Sequence, residues 1–271
     1  MRDYKSIFDT VEATLLQIGS RSMPRAQIQA CLDEYKHFEG SRYTDDECYT
    51  KLVHIIFYAG FRAATVTQKI PILNKWFPRY EDVASYSESD IHSIMADVEM
   101  IRHESKIRAC VMNARTFKSI VSEHGSFQNY VDSFDATRSP ANWNRLRDNL
   151  RARFDRMGRI TPYHFMMDVG LPLMKPDIVV SRIFYRLGLI EREKISTDVD
   201  ADAVVEQGRR FASVTGHPIR YIDIVFVCYG QVRTEEIGIE RGVCLGDKFT
   251  PSCELCRVTN ECRNYFQRRK G

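Results

Sequence analysis

The sequence predicts an all-α protein. Apolar residues recur at helical spacing through most of its 271 residues, cap-like residues open those runs and glycines close them, and alternating strand patterns are scarce. No internal repeat and no low-complexity linker interrupts the chain.

The first strong helix is "TDDECYTKLVHIIFYAGF". Thr44 and Glu47 stand there at capping-box spacing, and Leu52, Val53, Ile55, Ile56 and Phe57 follow. "SESDIHSIMADV" and "HESKIRACVMNARTFKSIVSEHG" predict two amphipathic helices, the second stopping near Gly125. "SFQNYVDSF" reads as a short helical piece or a turn. Ser139-Pro140 opens a basic helix, "SPANWNRLRDNLRARFDRMG", expected to reach Gly158. Pro162 suits the first turn of the next helix, expected to run to Gly170. After the breakers Pro172 and Pro176, Asp177 stands where an N-cap belongs, ahead of "IVVSRIFYRLGLI". "RYIDIVFVCYGQ" has strand-like content, but its length and surroundings favour a buried helix.

With 44% hydrophobic and 28% charged residues, the composition is that of a globular chain able to bury a core, not a disordered one. A net charge of +3 is too small to specify an acidic partner, but the charge is unevenly placed. Arg145 to Arg159 holds six arginines against two aspartates, and Cys244 to the end holds six basic against three acidic residues. Such clusters suit a phosphate backbone, while a solvated helix face remains open for either one alone. No run of eighteen apolar residues occurs, and "MRDYKSIFDTVEATLLQIGS" is too charged for a signal peptide. The expectation is a cytosolic protein with no membrane contact, where structural disulfides are rare and clustered cysteines point to metal.

Four of the eight cysteines fall at the C-terminus, Cys244, Cys253, Cys256 and Cys262, in a C-x8-C-x2-C-x5-C pattern. Two cysteines separated by two residues can turn their sulfurs to one centre, and the outer pair can complete a four-thiolate set. Such a set suits a four-iron cluster or, less well with only one C-x2-C knuckle, a structural zinc. With every ligand a protein thiolate, no position is left open for substrate, so the expected role is structural. The loop would then aim Arg257, Arg263, Arg268, Arg269 and Lys270 at a partner. Cys31, Cys48, Cys110 and Cys228 sit in apolar stretches and read as buried thiols.

The other informative stretch is "FDRMGRITPYHFMMDVGLPLMKPDIVVSRIFYRLGLI". A basic helix, a tight turn at Gly158 and a new helix near Pro162 form a helical hairpin. Its exposed backbone N–H groups and the positive helix end suit a DNA phosphate. Asp177, beyond that turn, is either a plain N-cap or an acid placed near a bound strand.

At these residues the chain resembles the helix-hairpin-helix (HhH-GPD) DNA glycosylases, over about Tyr43 to Cys262. "YTKLVHIIFYAGFRAATVTQKI", "ADVEMIRHESKIRACVMNARTF", "GSFQNYVDSF" and "MGRITPYHFMMDVGL" are similar to blocks of the 3-methyladenine glycosylase I family. "KPDIVVSRIFYRLGL" and the cysteine loop look like the endonuclease III branch, with a longer first gap between cysteines. The resemblance implies a two-lobed helical fold. Residues 1–40 would pack with the C-terminal lobe, 41–176 would form a lobe containing the hairpin (about 150–170), 177–243 a second lobe, and 244–271 the cluster loop and basic tail.

It also implies a site. Asp177 would be catalytic and Cys244, Cys253, Cys256 and Cys262 would hold a 4Fe-4S cluster. Gly158, Arg159 and Thr161 would grip DNA, with Phe61 and Arg62 beside them and Phe61 a wedge into the gap left by an extruded base. His54, Ile55, Tyr58 and Tyr163 would lie at the base pocket, although interior packing is an open reading for His54, Tyr163 and Phe61. The sequence departs from the 3-methyladenine family where Ile55 replaces its base-recognising glutamate and where Ala63 and Asp132 replace its tryptophans; its N-terminal zinc pattern is also absent. Bifunctional relatives carry a hairpin lysine that attacks the sugar. Arg159 and Ile160 stand there instead, and Lys175 is out of register. The implied activity is monofunctional excision of a damaged base from double-stranded DNA, an alkylated purine such as 3-methyladenine, by a monomer. Removal of an oxidised or hypermodified pyrimidine, in repair or in defence against phage, and non-catalytic DNA binding are the alternatives.

Overall fold

The computed structural model describes residues 2–246 and 248–268. Among them the regular structure is helical, and the only pairing of extended backbone is an isolated bridge between Thr234 and Ile239. The chain divides into two compact units, a central one over 41–171 and a terminal one that joins 1–40 to 172–271.

The terminal unit begins with helices α1 (Tyr4–Gly19) and α2 (Arg25–Asp33). Asp3 caps α1 by accepting the Ser6 N–H, and Phe8, Val11 and Leu15 are wholly buried.

The central unit opens with α3 (Asp45–Tyr58), whose expected capping box is present: Glu47 N donates to Thr44 Oγ1, and Thr44 N donates to Glu47. Short helices follow as α4 (Ala63–Thr67), α5 (Ile70–Trp76) and α6 (Tyr80–Ala84), then α7 (Glu88–Ala96) with a Ser87/Asp90 box. The long α8 (Glu104–His124) stops at Gly125, whose φ of 79° is left-handed backbone that glycine adopts without a Cβ penalty. α9 (Phe127–Asp132) and α10 (Pro140–Arg153) are both capped by serines, Ser126 and Ser139. α11 (Thr161–Asp168) ends the unit. The basic helix thus stops at Arg153, five residues before Gly158, because Phe154 turns extended and buries its ring. The core of this unit is aromatic. Phe117 and Phe127 stack at 4.4 Å, and Tyr49, Tyr80, Phe154 and Phe165 surround them.

The chain then re-enters the terminal unit with α12 (Ile178–Arg186), α13 (Asp198–Thr215), α14 (Ile219–Gly230) and α15 (Arg263–Arg268). The strand-like "RYIDIVFVCYG" is a buried helix, as its length predicts. Phe8, Phe184, Phe211 and Phe226 form one aromatic cluster that ties α1 to the three helices α12–α14. No described helix is long and apolar enough to cross a membrane.

Candidate active site

In the central unit the turn between α10 and α11 is built around a left-handed residue, but that residue is Arg156, at φ 63°, rather than Gly158. Arginine is strained there, and a clamp holds it. The buried Asn113 of α8 donates from Nδ2 to Asp155 O (3.1 Å) and accepts the Asp155 N–H at Oδ1 (2.7 Å). One side chain therefore satisfies both backbone groups of the residue before the strained one. Gly158 and Arg159 stand exposed on the turn and Thr161 opens α11.

Beside the turn lies a cavity of about 450 Å³ lined by Ala59, Gly60, Phe61, His103, Lys106, Arg156, Gly158 and Thr161. Two of the expected DNA contacts and the expected wedge, Phe61, therefore meet in one place. Phe61 is half-buried, edge-on to His103 at 5.8 Å and under the Lys106 ammonium at 5.2 Å. Lys106 is itself only 5% exposed, and its Nζ donates to the carbonyls of Ile56 and Ala59 at the end of α3. Burial, reinforced by Arg156, holds its pKa below the usual lysine value. Arg62, exposed, precedes α4.

The basic run of α10 is not one face. Arg147 is buried and donates to Tyr163 Oη (2.8 Å), Asn144 and Asp148, and Arg153 pairs with Glu123 at 2.9 Å. Arg156 and Arg159 are the exposed cations at the turn itself.

The expected base-pocket residues separate. Ile55 (1% exposed) and Tyr163 (0%) lie inside the unit, because each sits on the apolar face of its helix; that burial closes them off from any base. His54 and Tyr58 are half-open. His54 Nε2 lies 2.7 Å from Asn74 Oδ1, and burial lowers its pKa. Tyr58 Oη is 3.0 Å from Thr67 Oγ1, and its ring centroid is 6.4 Å from that of His164.

In the terminal unit Asp177 is the N-cap of α12. Its Oδ1 accepts the N–H groups of Val179 (2.8 Å) and Val180 (3.0 Å), while Oδ2 faces Lys175 Nζ at 3.8 Å. The side chain keeps 20% of its surface open. An N-cap role and an available carboxylate oxygen are therefore both present in one residue. Ile178 beside it is 73% exposed.

Three of the four C-terminal thiols, Cys244, Cys256 and Cys262, lie within electrostatic reach of Tyr229. Its Oη donates to Cys256 Sγ (3.1 Å), and Cys256, Cys244 and Cys262 all act on its ionisation, burial being the larger cause of its raised pKa. Cys253 and Cys262 in turn act on Cys256. Burial pushes the Cys244 thiol up to about 11, against the pull of two largely buried guanidiniums. Arg186 donates to Cys244 Sγ (3.4 Å) and to Leu245 O (2.8 Å), and Arg182 donates to Cys244 O and Gly230 O. The buried cations Arg182 and Arg186 at Cys244 would favour a thiolate there. Among the described residues no three ligand-type side chains are grouped to hold a single metal ion.

One expectation for the cysteines changes. Cys31 is half-exposed, unlike Cys48, Cys110 and Cys228, which are buried. Arg263 is exposed, and its guanidinium lies over Gly188 and donates to Gly188 O (3.3 Å). Gly188, at φ 69°, leaves the room that a Cβ would fill. Arg257 is exposed, while the side chain of Arg268, together with Arg269 and Lys270, lies outside the described residues.

Residues 33–173 match the methyladenine glycosylase family. The chain belongs to that family. A solved structure of 3-methyladenine DNA glycosylase I from Staphylococcus aureus is similar over 51% of this chain and 84% of its own, at 22% identity and a TM-score of 0.43. The 8-oxoguanine glycosylase/lyase of Methanocaldococcus jannaschii, solved with DNA containing 8-oxoguanine, matches over 79% and 94%, at 13% identity and a TM-score of 0.54. The 8-oxoguanine DNA glycosylase of Thermotoga maritima matches over 81% and 95%, at 16% identity and 0.53. These last two share the helical glycosylase fold with this methyladenine glycosylase family member.

Sequence reading missed Asn113, His103, Lys106, His164 and Asp168. Lys106 and Asn113 looked like ordinary positions on an amphipathic helix. His164 and Asp168 carried a signal that could have been used: they are the two strongly polar side chains in the apolar run "PYHFMMDVG".

Proposed function

We propose that this glycosylase extrudes an alkylated purine such as 3-methyladenine from duplex DNA and removes it by hydrolysis, with Asp177 as the catalytic carboxylate. The family supports excision of a methylated adenine. The observation that carries the residue assignment is the split carboxylate of Asp177, one oxygen fixed by two main-chain N–H groups and the other open beside Lys175.

The chemistry follows from charge. Extruding a base costs a few kcal/mol of unstacking, which the wedge Phe61 and phosphate contacts at Gly158, Arg159 and Thr161 would offset. Breaking the bond from C1′ to the base sends its electron pair to the base and leaves positive charge on the sugar, as in glycoside hydrolysis. The open oxygen of Asp177 would stabilise that charge and orient the water whose oxygen bonds to C1′, its proton passing to the carboxylate or to solvent. An alkylated purine leaves readily because alkylation already makes it electron-poor. Arg159 and Ile160 at the hairpin supply no amine for attack on the sugar, so the reading is excision without strand cleavage, by a monomer.

Cys244, Cys253, Cys256 and Cys262 would hold a 4Fe-4S cluster in preference to zinc. When bound, that group would tie the C-terminal loop to itself, and Tyr229, Arg182 and Arg186, which contact Cys256 and Cys244, would help to hold it.

The test uses Asp177→Asn and duplexes carrying a panel of alkylated, oxidised and hypermodified bases, read with and without alkali. The variant should bind lesion DNA as the wild type does and lose excision by at least about 100-fold. Wild-type excision by the variant removes Asp177 from the mechanism, and strand cleavage without alkali removes the monofunctional reading.

A further inference from the structure

Phe61 sits on the short loop that leaves α3, where Ala59, Gly60 and Arg62 are all exposed and Gly60 turns left-handed at φ 85°. A ring on such a loop samples many orientations unless something beneath holds it. What lies beneath is an ammonium. Lys106 of α8 is buried, and its Nζ donates to two carbonyls at the end of α3, Ile56 O and Ala59 O (2.6 Å). A helix leaves its last carbonyls without main-chain partners, and they carry the negative end of its dipole. The same Nζ stands 5.2 Å from the centroid of the Phe61 ring and 6.0 Å from that of Phe57. His103, at the start of α8, meets Phe61 edge-on. Among the described residues the groups that act on the lysine's charge are Arg156 and the Cys110 thiol, and no carboxylate is among them. Main-chain carbonyls and ring faces therefore balance that charge, all of them on the segment that ends in Phe61.

We infer that Lys106 is a positioning residue for excision: it fixes the end of α3 and holds the Phe61 ring ready to enter the gap left by an extruded base. The inference rests on Phe61 being the wedge of the proposed mechanism, and it concerns the residue behind that wedge. At 5% exposure Lys106 is too enclosed to grip a phosphate, so its charge serves the loop and not the DNA. The attraction between a cation and a ring face is largest where the cation is desolvated, as it is here. A ring already held in place enters the stack without the ordering cost that a free loop would add. One helix then supports both walls of the cavity beside the hairpin. Asn113 of α8 fixes the turn through Asp155, Lys106 of α8 fixes the wedge loop, and Arg156 and Phe61 line the space between them.

The experiment is a double-mutant cycle of Lys106→Met and Phe61→Ala in the full-length protein, with melting temperatures recorded as a check on folding. Two readouts are taken. Excision is the single-turnover rate on a duplex containing 3-methyladenine. Wedge entry is the fluorescence change of 2-aminopurine beside an abasic analogue, which needs no bond cleavage and decides alone if the wild type leaves 3-methyladenine in place. Lys106→Met should lower the excision rate about 10-fold and reduce the fluorescence change, the loss of a charged donor. In the Phe61→Ala background the same substitution should alter either readout by less than about twofold, because its effect passes through the ring. Phe61→Leu keeps apolar bulk but offers the ammonium no ring face, and it decides the matter if Lys106→Met does not fold. Its rate should fall about threefold, and wild-type behaviour in that variant overturns the inference. Wild-type readouts in Lys106→Met, or an equal loss in both backgrounds, overturn the role of Lys106 and leave the wedge standing. Wild-type readouts in Phe61→Ala overturn the wedge reading and this inference with it.

Discussion

Asn113 shows how much of the hairpin depends on one buried amide. Its two hydrogen bonds to Asp155 hold the backbone that forces Arg156 into left-handed geometry and exposes Gly158 and Arg159. Asn113→Ala removes both and leaves two main-chain groups of Asp155 without that partner. We expect a loss of about 2 kcal/mol by urea denaturation, and weaker binding to any duplex whatever its lesion, because phosphate contacts position without reading sequence. Unchanged binding with reduced stability would mean that the turn keeps its shape without the clamp. At this scale the sequence was only partly readable. Asp177 announced its N-cap role by standing just before an apolar helical run, but whether its second oxygen stayed open depended on what lay opposite. Ile55 and Tyr163 aligned with a pocket by position and are buried by the faces of their own helices.

Helix ends carry much of the local specification. Thr44/Glu47, Ser87/Asp90 and Thr197/Asp200 each form a reciprocal capping box, and serines cap α9 and α10. At the start of α13 the Asp200 carboxylate accepts from Ser196 and Thr197, and its pKa falls from 3.8 to about 2, the Ser196 main-chain N–H being the largest cause. A carboxylate whose folded pKa is depressed stabilises the fold above its unfolded value and loses that contribution as protons return. Wild type should therefore lose stability between pH 3.8 and about 2 through this group. Asp200→Asn should melt at lower temperature than wild type at neutral pH and show a shallower decline across that acid window. Identical acid profiles would show that the box does not contribute in solution. The Thr44/Glu47 box was legible because the signal is local, a short polar side chain with an acid three positions later; the Ser87/Asp90 and Thr197/Asp200 boxes carry the same signal, which the reading of the sequence passed over. The stop of α10 at Arg153 was not legible, because it is set by Phe154 entering a core assembled from α8, α9 and α11.

For the whole molecule, the terminal unit requires both ends of the chain. Phe8 meets Phe226, Glu12 meets Tyr221, and Arg2 meets Glu261, all across more than two hundred residues. The cysteine loop belongs to this unit through Tyr229, Arg182 and Arg186. With the proposed cluster in place, Cys256→Ser should reduce iron from about four atoms per chain and lower the melting temperature, without raising bound zinc. A variant that stays iron-free, zinc-loaded and equally stable would assign the loop to zinc, and full iron retention would remove Cys256 from the ligand set.

The amino-acid order alone determined the helical class, the caps at Thr44, Ser139 and Asp177, the close spacing of four cysteines and the position of the hairpin, because each depends on residues within a few turns of one another. Tertiary structure decided which polar groups stayed open. Tyr58 of α3 came to lie beside His164 of α11, and the arginines of α10 divided into buried and exposed, only when α3, α8, α10 and α11 packed. Burial is a property of what lies opposite a side chain, and helical periodicity records the face of a helix but not the partner it meets.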